Sequence, residues 1–289
     1  MNKKLKRENK FINWIDLKFS NDFMFGHVLK NEELLKEFAS VLLGFDINDV
    51  DNIEFEKTMK QYYFTRGVRL DVYFKSSNKV INIEMQVVDR SNIKKRGRYY
   101  QSSLDSLLLE TAREYTDLND TLVVFICCYD PFDKNQMKYV FKNYCKATNT
   151  NLDDGRTIII FNTKGKEEKE NKELSNLLKY IDGNESNIND LTRKIESEVD
   201  KIKTNEILRC DFMKQKADEM DQYTDGKKEG IIEGKIEGKK EGIIEGQKEG
   251  IIKGKKEGKI EIAKKLKSTM TDEEISKITE LDIETIKEL

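Results

Sequence analysis

Glycine recurs at every fourth position from Gly226 to Gly258. Nine glycines fall in that run, against seven in all of residues 1–225. Each helical Gly costs ~1 kcal/mol relative to Ala, so the run makes a poor isolated helix. The spacing therefore draws a domain boundary. It divides the chain into a core at 1–165, a charged helical connector at 166–225, the repeat tail at 226–258 and a small helical segment at 259–289.

Scarce residues exclude whole classes of chemistry. The only histidine is His27, which removes HExxH zinc hydrolysis and His-rich metal sites. No motif nearby pairs with it, so it reads as structural. Four cysteines occur without a CxxC, and Cys127 and Cys128 are adjacent in an apolar run. They read as buried free thiols in a reducing compartment. The net charge is -2, which excludes a globally basic nucleic-acid coat protein but not a local basic patch. No stretch approaches ~18 apolar residues, so no membrane partner is expected. Residues 1–10 are charged with no apolar run after them, unlike a secretory leader. These features together predict a cytoplasmic protein.

The core reads as an α/β domain with a mixed sheet, in the order α-β-β-β-α-β followed by extra strands. Apolar residues from Phe23 to Leu42 recur at helical spacing, with a break near Asn31 and a stop at Gly44. Strand-like runs follow at 53–64, 67–76 and 79–88. A helix is predicted over 91–113, with Tyr100, Leu104, Leu107, Leu108 and Ala112 on one side. Residues 121–129 form an apolar run rich in β-branched side chains, the pattern of a strand buried on both faces. Further strand-like pieces lie at 138–145 and 157–162. In the connector, Ile188, Leu191, Ile195, Val199 and Ile202 are spaced like heptads, which predicts one or two exposed helices.

The sharpest local feature is the strand pair around Ser77-Asn78. Side chains alternate faces along a strand. Asn82, Glu84 and Gln86 therefore share one face, as do Arg69, Asp71 and Tyr73. If the loop is the two residues Ser77-Asn78, Ser76 pairs with Lys79 and Asp71 lies opposite Glu84. Two opposed carboxylates destabilise a sheet unless something offsets them. A hard divalent cation such as Mg²⁺ suits one or two carboxylates with water and a phosphate oxygen. The bland alternative is an exposed polar sheet face with Arg69 neutralising either acid. Beyond the second strand, Lys94, Lys95, Arg96 and Arg98 cluster at the start of a helix, with Arg96 and Tyr100 neighbours on one side. Basic groups beside two carboxylates fit a phosphodiester; a solvated helix surface is the competing reading.

At these residues the chain resembles the recombination-promoting nuclease and transposase family of the PD-(D/E)XK nuclease superfamily. The motifs, in order over about 16–165, are Asp22-Phe23-Met24-Phe25, Arg69-Leu70-Asp71-Val72, Ile83-Glu84-Met85-Gln86, Arg96-Gly97-Arg98-Tyr99-Tyr100, Asp130-Pro131-Phe132 and Asn162-Thr163-Lys164-Gly165. The resemblance implies a restriction-endonuclease-like αβββαβ core and cleavage of DNA with Mg²⁺, or with Mn²⁺ or Ca²⁺. It makes Asp71 and Glu84 metal ligands and puts Gln86 where the superfamily name has Lys. Gln86 donates and accepts hydrogen bonds but carries no charge. Lys94, Lys95, Arg96 and Arg98 become phosphate-binding residues, with Asp22 and Tyr100 in support. The competing class is a non-catalytic DNA-binding or assembly protein on the same fold.

The tail is charge-balanced, with fifteen Lys and fifteen Asp plus Glu over 226–289. It reads either as a disordered spacer or as a helix that self-associates into a homo-oligomer; the second reading is taken here. Residues 260–289 read as two or three short helices, with a capping box at Thr271 and Glu274. Around Leu281 they resemble a helix-turn-helix in which Glu280 replaces the usual turn glycine.

Overall fold

The computed structural model describes residues 13–59, 67–109, 114–166, 171–184 and 189–289. Residues 1–10, the strand end at 60–64, Ala112 and Ile188 lie outside the described residues. The chain divides into two compact units, Met1–Met213 and Lys214–Leu289.

The first apolar-periodic run forms two helices, α1 (Asp22–Val28) and α2 (Glu32–Leu43). Asn31 breaks it by capping: the Leu34 N–H donates to Asn31 Oδ1 at 3.2 Å. Gly44 ends α2 with φ 80, a left-handed conformation that glycine adopts without a Cβ penalty. There follow β1 (Asp51–Met59), β2 (Val68–Ser76), β3 (Lys79–Gln86), α3 (Ile93–Leu108) and β4 (Asp120–Cys127). The expected strand at 138–145 is broken. Only β5 (Lys138–Phe141) joins the main sheet, while β6 (Tyr144–Cys145) and β7 (Thr150–Asn151) form a separate two-stranded ladder. The last strand is β8 (Arg156–Asn162).

Among the described residues the main sheet has six strands in the order β1-β2-β3-β4-β8-β5. The β1–β2, β2–β3 and β5–β8 pairs are antiparallel. The β3–β4 and β4–β8 pairs are parallel. Alternation along β4 divides the core cleanly. Leu122, Val124 and Ile126 join one buried cluster, and Val123, Phe125 and Cys127 join another. The first cluster lies under α1 and α2. The second lies under Ile93, Tyr100 and Leu104 of α3. All four cysteines are free, with Cys127 buried and Cys145 and Cys210 exposed.

Two further helices, α4 (Lys172–Ile181) and α5 (Asp190–Lys203), differ from expectation. The charge of 166–225 predicts an exposed connector; instead Leu191, Ile195, Val199 and Ile202 are buried in the first core cluster. The physical reason is that their spacing makes a one-sided apolar stripe, which α1, α2 and α4 cover as readily as a coiled-coil partner does. The start of α6 (Glu206–Leu266) also belongs to this core. Phe212 packs against Trp14 and Phe23, and the Trp14 indole donates to the Lys203 carbonyl at 2.9 Å. Ile195→Val is therefore expected to lower stability by about 1 kcal/mol in urea denaturation. An unchanged midpoint would place α5 outside the core.

The second unit holds the rest of α6, α7 (Asp272–Thr279) and α8 (Ile283–Lys287). The glycine repeat is helical throughout, and no atom outside the helix lies within 4 Å of where a Cβ would stand on any of its nine glycines. Its isoleucines, Ile231, Ile232, Ile243, Ile244, Ile251 and Ile252, are exposed. Ala263, Ile275, Leu281 and Ile286 close a small core at the end of the chain. The Thr271–Glu274 capping box is formed. Glu280 adopts φ 58, the left-handed conformation a glycine usually supplies at such a turn. Among the described residues no helix is long and apolar enough to cross a membrane.

Candidate active site

The β2–β3 hairpin fixes the site. Ser76 pairs with Lys79, and the pairing runs in register to Val72 opposite Ile83. Asp49 anchors the turn by accepting from the Ser77 N–H at 3.0 Å. Asp71 and Glu84 come next in that register, and there the carboxylates take over as acceptors. The Asp71 N–H donates to Glu84 Oε1 at 3.0 Å, and the Met85 N–H donates to Asp71 Oδ2 at 3.1 Å. Each acid thus satisfies a backbone donor of the opposite strand. That reciprocity offsets part of their mutual repulsion.

The polar face is not exposed, contrary to the ordinary reading of such a strand pair. Asn82 and Glu84 are both 0% exposed. α3 covers this face, and Gly97 lets it come close: a Cβ there would stand 3.2 Å from Ile158 Cδ1. The neutralising cation also differs from expectation. Arg69 reaches Glu56 at 3.0 Å, with both side chains near the surface. Arg96 takes the central position instead. Its Nη2 donates to Glu84 Oε2 at 3.0 Å, its Nη1 to Gln86 Oε1 at 2.6 Å, and its Nε to the Tyr100 hydroxyl at 2.9 Å. The Gln86 Nε2 donates to the Met85 carbonyl at 2.7 Å.

Burial raises both acids. For Asp71, burial and then the charge of Asp22 push the carboxyl up to about 6, against the pull of the Met85 N–H, Arg96 and Arg69. For Glu84, burial and then the charge of Asp71 push it up to about 8, against Arg96, the Asp71 N–H and Asn82. The charge of Asp71 raises Glu84, so the two titrations are linked. Burial raises the Tyr100 hydroxyl as well, followed by the charge of Glu84. Burial lowers Arg96, but Tyr100, Glu84 and Asp71 outweigh it and hold the guanidinium charged.

The structure brings Asp71, Glu84, Gln86, Arg96 and Tyr100 together. Asp22, in the first turn of α1, lies near enough to Asp71 to raise it. Lys94, Lys95 and Arg98 are exposed on the first turns of α3. Asn82 belongs with the site although sequence reasoning placed it only on the same strand face. Its Nδ2 donates to Glu84 Oε1 at 3.1 Å, while its buried Oδ1 has no hydrogen-bond partner. Its period-two position beside Glu84 was the available signal. His27 lies elsewhere, stacked on Phe23 at 4.0 Å with Nδ1 2.9 Å from the Phe23 carbonyl.

The donor set suits a hard cation. It consists of two carboxylates and an amide carbonyl, all oxygen. Both acids are raised by desolvation, and the Arg96 guanidinium supplies one positive charge at Glu84. Among the described residues no three His, Cys, Asp or Glu side chains converge to hold an ion. An ion here would therefore complete its shell with water or substrate oxygen.

A family model described as PD-(D/E)XK nuclease family transposase matches residues 15–231. No curated protein and no solved structure matches the chain.

Proposed function

The chain belongs to the PD-(D/E)XK nuclease family transposases, and from that membership we propose a divalent-metal-dependent DNA endonuclease acting on mobile or recombining DNA. The observation that carries this reading is the buried pair of opposed carboxylates, Asp71 and Glu84, each raised by burial and each bonded across the hairpin.

Asp71, Glu84 and the Gln86 carbonyl would hold the ion. The chemistry such an ion supplies when bound is activation of water and neutralisation of charge on the phosphate. With its carbonyl on the ion, Gln86 would keep its amide N–H to donate to the attacking water. Arg96 then exchanges Gln86 for a phosphate oxygen, keeping Tyr100 as its fixed partner. Lys94, Lys95 and Arg98 add long-range attraction for the DNA backbone.

Supercoiled plasmid is expected to be nicked or linearised in Mg²⁺ or Mn²⁺ and left intact in EDTA. The same ions are expected to raise the thermal midpoint, because a ligand of the folded state alone stabilises it by mass action. One observation favours a non-catalytic DNA-binding protein: Arg96 already bonds both Glu84 and Gln86. Plasmid shifted in a gel but uncut with every ion, and no thermal response, would establish that second reading.

A further inference from the structure

An aromatic hollow stands beside the carboxylate site, and the reaction above leaves it without a role. It is lined by Lys94, Pro131, Phe132, Asp133, Lys134, Tyr139 and Phe141. The Phe132 ring lies 4.7 Å from that of Tyr139 and 5.2 Å from that of Phe141. The Lys94 ammonium stands 5.3 Å from the centre of the Phe132 ring. Phe141 remains 44% exposed and its neighbour Val140 51%. Phe132 and Tyr139 are half-buried beside Phe141, so the three rings leave part of their faces open to water.

The hollow is built rather than incidental. Asp130 holds the loop that carries Phe132. Its Oδ1 accepts from the Phe132 N–H at 3.1 Å and from the Tyr139 hydroxyl at 2.8 Å. Its Oδ2 accepts from the Asn135 N–H at 2.6 Å. Pro131 fixes φ between the anchor and the ring. The Asp130-Pro131-Phe132 segment thereby presents a flat apolar face with a set orientation.

Its position follows from the sheet. The loop leaves β4 just beyond Cys127, which lies beside Gln86 in the parallel β3–β4 pair. The Cys128 N–H donates to the Gln86 carbonyl at 3.0 Å. Lys94 and Arg96 both stand in the first turns of α3. The hollow and the carboxylates therefore share the end of β3 and β4 where strands deliver ligands in open α/β sheets.

We propose that this hollow is a stacking site for one unpaired base of the DNA strand bound at the carboxylates, with Lys94 and Lys134 on the adjoining phosphates. The chemistry of the lining selects that occupant. A nucleotide joins a flat π face to an anion, and the hollow joins aromatic faces to two ammonium groups that outnumber its one carboxylate, Asp133. A base within a duplex has its faces covered by its neighbours, so only an unpaired or splayed base can enter. Stacking on an aromatic side chain is tolerant of sequence, so the hollow reads strandedness rather than base identity. The proposal rests on the nuclease reading for the strand that passes the carboxylates.

The test is fluorescence anisotropy of the full chain with short labelled DNAs in EDTA, where no strand is cut. A single-stranded oligothymidine, the same strand with an abasic centre, and a duplex of equal length are compared. Phe132→Leu is expected to weaken single-strand binding by about tenfold relative to duplex binding. Phe132→Trp is expected to restore it. With the unaltered protein, the abasic strand is expected to lose a similar factor, a result that does not depend on any variant folding. Equal affinity for the intact and abasic strands, with Phe132→Leu unchanged, would overturn the stacking site and leave the nuclease reading standing. Failure of the unaltered protein to bind any of the three DNAs would overturn the stacking site, while the nuclease reading stands or falls by plasmid cleavage with Mg²⁺ or Mn²⁺.

Discussion

Glu84→Gln is expected to reduce plasmid cleavage by about 10³-fold or more while leaving the protein folded. The substitution keeps the side-chain length, and its amide oxygen still accepts from the Asp71 N–H as Glu84 Oε1 does at 3.0 Å. It removes the charge that would hold a divalent ion. It also removes the repulsion between Asp71 and Glu84, which offsets part of the stability lost where the new amide NH2 faces the Arg96 Nη2 that donates to Glu84 Oε2 at 3.0 Å. Asp71→Asn should behave alike, because its amide oxygen still accepts from the Met85 N–H. Cleavage and circular dichroism on the same preparations separate loss of chemistry from loss of structure. A folded Glu84→Gln protein cutting at the unaltered rate would remove these carboxylates from the reaction.

Arg96→Met is expected to destabilise the protein by roughly 3–5 kcal/mol at about pH 9 and by much less at about pH 5. Glu84 is 0% exposed and Arg96 bonds it at 3.0 Å, so the variant strands a buried carboxylate. The sign of the pH dependence follows from the raised acids. Asp71 is pushed up to about 6 and Glu84 up to about 8. A carboxyl raised in the folded state holds its proton more tightly there than in the unfolded chain. Its contribution is full below the unfolded value, near 4, and is lost as pH rises through the folded values. Without Arg96 the Glu84 carboxyl rises further, which deepens the loss at high pH. Arg96→Lys should recover little, because one ammonium cannot bond Glu84, Gln86 and Tyr100 together. Urea denaturation across that pH range is the measurement. An equal loss at both ends would mean that Arg96 acts by packing alone.

Two other features of the fold were only partly legible. The Asp130-Pro131-Phe132 turn could be read as a turn, but not as the anchor of an aromatic hollow. Tyr139 and Phe141 reach Phe132 only because β5 folds back antiparallel onto β8. The connector was misread for a related reason. A stripe such as Leu191, Ile195 and Val199 says that a helix buries one side, not what covers it.

What the sequence alone determined was local. The alternation of β2 and β3 and their two-residue loop set the register that brings Asp71 to Glu84, because a strand has a period of two and a short loop leaves no slack. The helix break at Asn31, the stop at Gly44 and the Thr271–Glu274 box were legible for the same reason: each rests on hydrogen bonds or backbone angles within a few residues. The tertiary structure alone decided that the polar face of β3 is buried. It also decided that Arg96 rather than Arg69 is the counter-charge, and that Asn82 joins the site. Those outcomes depend on which helix lies over which face of the sheet. That is settled by close packing at Gly97 between segments far apart in the chain, and strand periodicity is blind to it.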